Sequence, residues 1–228
     1  MSRKSRLQRS TRRAAPSGRA GLQATLAALG LTLGALLAGC ASNAGTVTDI
    51  RYDLGLQSAL GAREAQAAPA TSGAKPPLKV LGVIAPPPLD NDRILYRMNF
   101  DSQRTARYAN SRWTMSPARL LTERLRTSLG AQATVLSGSD AVQAPMLKVE
   151  LYEFEQVFAS PTESSGVLSA RATLLQGGKV LAQRSFVTRA PASTPDAAGG
   201  VRALQAASDD FANQLGAWLC AQSFAGTP

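Results

Sequence analysis

Twenty consecutive residues without a charge, residues 20–39, constrain this chain more than any other feature. Before them come Arg3, Lys4, Arg6, Arg9, Arg12, Arg13 and Arg19 and no acid, and Cys40 follows them directly. Leu, Ala and Gly make up most of the run, and Gly21, Gly30, Gly34, Thr25 and Thr32 dilute its hydrophobicity. A basic leader, an apolar stretch and small residues before a break form the pattern of a cleaved export signal. The run is also long enough to cross a bilayer, so a transmembrane anchor is the alternative. In the first reading, only the sequence from Cys40 onward remains to build a fold.

The break falls within Leu37-Ala38-Gly39-Cys40, which resembles the lipobox of bacterial lipoproteins. That resemblance implies cleavage between Gly39 and Cys40, then S-diacylglycerol on the Cys40 sulfur and N-palmitoyl on its amine. One acyl chain holds a protein to a membrane only marginally, whereas two or more make the attachment persist. Cys40 is therefore expected to be an anchor and not a catalytic thiol. The charge balance changes accordingly. Of 25 basic residues seven precede Cys40, as do none of the 15 acids, so the full-chain +10 becomes 18 against 15, a net of +3. Without a basic cluster interleaved with aromatics, that argues against a nucleic-acid partner. Removing 39 of 228 residues leaves 189, enough for one domain with a core. Cys220, with Cys40 acylated, has no intramolecular partner; its place in Trp218-Leu219-Cys220-Ala221 predicts a small buried hydrophobe.

Periodicity divides the rest into elements. Residues 47–54 read as a short strand, and residues 57–77, rich in Ala, Pro, Gly and Ser, as a flexible loop. A strand over 78–84 ends at Pro86-Pro87-Pro88, and strands over 94–100 and 108–113 follow. Ser116 as N-cap, Pro117 at the first helical position and Gly130 past the end punctuate a helix. Ala118, Leu121, Leu125 and Leu129 form its buried stripe, with Arg119, Glu123, Arg124 and Arg126 mostly outside it. Residues 134–137 give a short strand. Leu147, Val149 and Leu151 alternate with Lys148 and Glu150, and the apolar phase then flips to Tyr152, Phe154 and Phe158, which fits a bulge or strong twist, or a change in which face is covered. Leu168, Ala170, Ala172 and Leu174 continue the alternation, and a Gly177-Gly178 turn leads into a strand over 180–188. A long amphipathic helix starts near Asp196 and turns Val201, Leu204, Phe211, Leu215 and Trp218 to one side. The expected fold is a single α/β domain, a mixed twisted sheet with a long antiparallel meander flanked by two main helices.

No residue nominates itself for catalysis. The chain contains no histidine, which removes the usual general base, the commonest metal ligand and every Ser-His or Cys-His pair. Phosphate-binding glycine loops and paired Cys-x-x-Cys motifs are absent. Glu153 and Glu155 imitate a carboxylate pair on one side of a strand, but a solvated or protected strand face explains them more simply. Asp209 and Asp210 read as solvated mid-helix acids, and Trp113 and Trp218 as caps of the core. The sequence thus points to no catalytic, cofactor or metal site.

The stretch 78–129, LKVLGVIAPPPLDNDRILYRMNFDSQRTARYANSRWTMSPARLLTERLRTSL, resembles the ABC-type transport auxiliary lipoprotein family, which includes the lipoprotein component of the paraquat-inducible system. A strand ending in a proline bend, Leu-Asp, a Tyr-Arg strand, then Tyr…Arg-Trp, Pro and a Leu-rich helix carry the resemblance. The strand LKVELYEFEQVF and the closing Trp-Leu helix extend it over nearly all of the chain beyond Cys40. Tyr96, Arg97, Trp113 and Pro117 stand at family-pattern positions with structural roles. The resemblance implies a signal peptide over 1–39, a lipidated tether over 40–48, the family domain over 49–220 with the 57–77 loop inside it, and a tail over 221–228. It implies a three-layer or open α/β fold. It also implies a non-catalytic lipoprotein serving an ABC permease, its ATPase and a mammalian-cell-entry-type substrate-binding protein, which move lipids or other hydrophobic molecules across the envelope. Ala41 stands where an Asp would resemble the inner-membrane retention signal, so the periplasmic leaflet of the outer membrane is the expected location. An outer-membrane barrel plug or chaperone, a periplasmic lipid-binding lipoprotein and a homo-oligomer stay open as alternatives.

Overall fold

The computed structural model describes residues 49–55, 75–99 and 103–222. Cys40, the Leu-Ala-Gly-Cys motif and the 40–48 tether lie outside the described residues, as do residues 57–74 of the expected loop and residues 223–228 of the expected tail. The loop boundary is corrected by one strand: Pro77 opens β2 (Pro77–Val80). Pro77 can do so because a strand's first position tolerates the missing N–H.

Three strands of 13 residues each make the frame: β6 (Met146–Phe158), β7 (Ser164–Gln176) and β8 (Lys179–Pro191). They form an antiparallel meander. Gly177 and Gly178 turn the second hairpin with φ of 55° and 80°, the left-handed conformations that a tight two-residue turn requires and only glycine adopts freely. The phase flip after Leu151 is a bulge. Register shifts between Leu151 and Glu153, so Leu147, Val149 and Leu151 and then Phe154 and Phe158 face the core. Tyr152 is the extra residue and stands 44% exposed, contrary to its expected place in the apolar phase; one inserted residue shifts the pleat and ejects its own side chain.

The other edge of β6 is shared by two strands end to end. Its first residues pair in parallel with β2, Lys79 against Met146, and its last with β3 (Arg93–Met98), Leu95 against Glu155 through Met98 against Phe158. Between them only Ile84 touches the ladder, opposite Glu150, so the expected strand over 78–84 is shorter than predicted. Pro86, Pro87 and Pro88 have no N–H to give, and the chain leaves β6 in a 3-10 turn at Pro87–Leu89. Asn91 closes the excursion, donating to the Pro87 and Pro88 carbonyls at 3.1 and 2.9 Å and accepting from the Arg93 N–H at 3.0 Å. Beyond β3 lie β4 (Thr105–Trp113), antiparallel, and β1 (Ile50–Tyr52), parallel to β4; beyond β2 lies β5 (Thr134–Leu136). Among the described residues the result is an eight-stranded mixed sheet that does not close into a barrel.

Helix α1 (Pro117–Leu129) begins with Pro117 at its first turn and buries Ala118, Leu121, Leu125 and Leu129 as expected. Helix α2 (Ala197–Cys220) is capped by Asp196, whose carboxylate accepts the Gly199 N–H at 2.7 Å. At roughly 36 Å, α2 covers most of a 13-residue strand of about 43 Å. It packs on β6, β7, β8 and α1. It lies close over Gly166, where a Cβ would stand 2.5 Å from the Leu204 nitrogen. Both helices share the core face with Trp113, Phe154, Leu168, Phe186, Phe211 and Trp218. Among the described residues the opposite face bears no helix, so the architecture has two layers, the open form of the two that the family resemblance implied.

Candidate functional site

With no catalytic or metal-binding cluster to build on among the described residues, the site of interest is the 49–55 segment and its attachment to the sheet and helices. Strand β1 contributes three residues, Ile50 opposite Ser111 through Tyr52 opposite Trp113. Three residues of pairing hold little by themselves, and the rest of the attachment is electrostatic and polar. The Arg112 guanidinium bonds Asp49 and also faces Asp92 at 3.7 Å. Arg51 donates to Asp92 at 3.0 Å and to the Trp113 carbonyl at 3.2 Å. Thr114 donates its N–H to the Tyr52 carbonyl at 2.7 Å. The Asp49 hydrogen bond is the largest influence holding the Arg112 pKa above its ordinary value.

The deeper fastening comes from α1. Arg124 is buried, and one guanidinium nitrogen donates to the Asp209 carboxylate on α2 at 2.8 Å. The other donates to the carbonyls of Leu54 and, at 2.9 Å, Gly55. A single planar fork thus joins both helices to the end of the N-terminal segment, a geometry that arginine's fixed donors suit. Leu54 is itself buried in the core, and Gly55 turns away with φ of 67°. Burial drives the Asp209 carboxyl pKa up, and Arg124 pulls it back down. The expectation that Arg124 and Asp209 are outward and solvated is thereby corrected. Arg124 lies four residues after Leu120, which is also buried, so the covered face of α1 is wider than the Leu stripe. Asp210 is exposed as expected.

The four family-pattern residues have structural places. Trp113 is fully buried with its ring 5.6 Å from Phe154. Pro117 starts α1. Tyr96 stacks at 4.9 Å on Tyr108 and meets Phe158 edge-on at 5.9 Å. Arg97 grips Glu155 through Nε at 2.5 Å and Nη2 at 3.4 Å, and that hydrogen bond raises the Arg97 pKa. Glu155 is consequently buried and paired on an interior strand, not solvated on an edge, while Glu153 is exposed. The two carboxylates do not form a working pair, because one is already neutralised by a guanidinium.

Sequence reasoning missed the polar centre beneath the start of α2. Gln156 is fully buried; its Oε1 accepts the Tyr108 hydroxyl at 2.8 Å and its Nε2 donates to Ser164 at 2.7 Å. Gly200 leaves room for it, since a Cβ there would stand 2.1 Å from Gln156 Oε1. Burial pushes the Tyr108 phenol well above its usual range. The only sequence trace was a glutamine in the phase of the apolar residues of β6. Cys220 also departs from expectation. It is exposed, and its thiol donates to Gln132 Oε1 at 2.8 Å, because the helix turns that position outward one residue beyond Leu219.

Among the described residues no three His, Cys, Asp or Glu side chains gather as a metal site, and no helix is long and apolar enough to cross a membrane. A family model described as "ABC-type transport auxiliary lipoprotein component" matches residues 59–216. No curated protein sequence matches the chain. Solved structures that share its fold include two with substantial overlap. One, from Xanthomonas campestris, superposes with a TM-score of 0.57 at 20% identity, covering 66% of this chain and 86% of that one. The other, described only as an uncharacterized protein, gives a TM-score of 0.60 at 16% identity, covering 75% of this chain and 99% of that one.

Proposed function

Because the chain belongs to the ABC-type transport auxiliary lipoprotein family, we propose that it works as a lipid-anchored, non-catalytic accessory to an ABC transporter. Cys40 carries the acyl chains, and the body stands in the periplasm against the outer membrane. The transporter's energy comes from its ATPase. This chain receives or positions a mammalian-cell-entry-type subunit that carries lipids or other hydrophobic molecules between membranes.

The observation that best supports this reading is the fastening of residues 49–55. Asp49 follows Cys40 by nine residue steps, a span of at most about 30 Å when extended. A segment so firmly joined to both helices passes the anchor's position to the whole domain. A loosely attached tail would leave the body free to drift over a much larger volume. Confinement of this kind raises the effective concentration of one partner beside another without any new contact.

Crosslinking in intact cells, followed by separation of inner and outer membranes, tests the proposal. The expected result is this chain in the outer-membrane fraction, joined to a mammalian-cell-entry-type protein or its permease. Recovery with an outer-membrane barrel instead, or in the inner-membrane fraction, would contradict it.

A further inference from the structure

Among the described residues the sheet has short edges at β1 and β5, three residues each, and one long edge at β8, thirteen residues paired only with β7. Natural sheets usually shorten, bend or cover such an edge, because its unpaired N–H and C=O groups form a template for another strand. Here Pro191 stands only at the far end, and the register irregularity lies near the turn, between Leu174 and Leu175. Val180, Leu181 and Val187 are 60%, 49% and 63% exposed along this strand. Its charges are Lys179, Arg184 and Arg189, with no acid, and none of the three forms an ion pair among the described residues. From these features we infer that β8 is a docking edge for an extended acidic segment of a partner protein, which adds to the sheet as a ninth strand.

Charge selects this occupant over a second copy. Two β8 strands laid side by side bring only cations to their seam; pairing Arg184 with its own counterpart also sets Lys179 against Arg189. Like charges directly opposite one another weaken strand pairing, and opposite charges strengthen it. Position selects a protein over the anchoring membrane. β8 is parallel to β6 and its turn lies at the Met146 end. Strand β1 runs antiparallel to β6 beside its later half, so its first residue, Ile50, lies on the side toward Phe158. The exposed Val180 and Leu181 therefore lie at the end of the sheet away from the tether's entry. That placement rests on the proposed anchoring at Cys40; the charge and edge arguments do not. In β-augmentation the main-chain bonds give affinity and alternate side chains give specificity.

Hydrogen–deuterium exchange on the mature lipoprotein in detergent micelles tests the inference. The probes are a synthetic twelve-residue peptide alternating Glu with Val and Ser, and its Lys counterpart. The acidic peptide should slow exchange across residues 181–189 at least tenfold, less so in high salt, and the basic one should not. The double variant Arg184→Glu with Arg189→Glu should melt only a few degrees lower, because Arg184 gives up its place over the Phe186 ring, and should reverse the preference. Indifference to both peptides, or equal response to both, would overturn the inference and leave the cations as guards of the edge. Slowing of the same residues by phosphatidylglycerol vesicles, or by raising protein concentration alone, would overturn it in favour of lipid or a second copy. Absence of acyl chains on Cys40 would leave the peptide result untouched, so the two readings fail separately.

Discussion

Arg124 joins three stretches far apart in sequence, and its removal is the sharpest test of how the N-terminal segment is held. Arg124→Met keeps much of the side-chain volume but leaves the Leu54 and Gly55 carbonyls and the half-buried Asp209 without their donor. Breaking one side of a buried pair costs about 3 kcal/mol, discounted here because Asp209 retains some contact with water. We expect a loss of about 2 kcal/mol in urea unfolding at neutral pH, with faster amide exchange at residues 52–55. Adding Asp209→Leu should restore part of the stability but not the slow exchange. The acids also set the pH dependence, in opposite directions. The Asp196 pKa is lowered, first by the Gly199 N–H and then by Thr194, so its contribution exists above the unfolded value of 3.8 and fades as pH falls through the folded one. Asp209 is raised, so its contribution is present below that unfolded value and is lost as pH rises through the folded one. Asp196→Ala should therefore cost about 1 kcal/mol at pH 7 and progressively less in acid, measured by denaturation at a series of pH values.

At the scale of elements, the geometry of α2 on the sheet is fixed by missing side chains. Gly166 lies under the Ala203–Leu204 backbone with no room for a methyl group. Gly166→Ala should cost about 2–3 kcal/mol, as overpacking does, and lower the thermal midpoint by several degrees; Gly177→Ala, with nothing nearby, should cost only about 1 kcal/mol through its positive φ. Parallel melts of the two variants check the contrast. Helices and the β6–β7–β8 meander were legible in the sequence because their signals are local: Pro117, Asp196, the Gly-Gly turn and strict alternation each act within a few residues. The bulge was legible too, as a flip of phase. What could not be read was tertiary choice. Whether Arg124 pointed inward depended on Asp209, 85 residues later, and whether Cys220 was covered depended on where α2 ends relative to its neighbours. The tandem pairing of β2 and β3 on one edge of β6 was equally hidden, although the three prolines marked where the chain would leave it.

At the scale of the whole molecule, the proposed arrangement is a two-layer body attached to lipid by a short leash. Its fold carries no chemistry of its own in this reading; its output is position. In the proposed reading, the 49–55 segment converts an acyl anchor into a defined entry point, and the long β8 edge offers a partner a place at the far end of the sheet. Everything depends on the anchor being real. Mass spectrometry of the N-terminal peptide of the protein isolated from membranes tests that most directly. A mature chain beginning at Cys40 with S-diacylglycerol and N-palmitoyl groups, and loss of both in Cys40→Ser, is the predicted result. A mature N-terminus elsewhere, or an unmodified Cys40 in membrane-bound protein, would contradict the account.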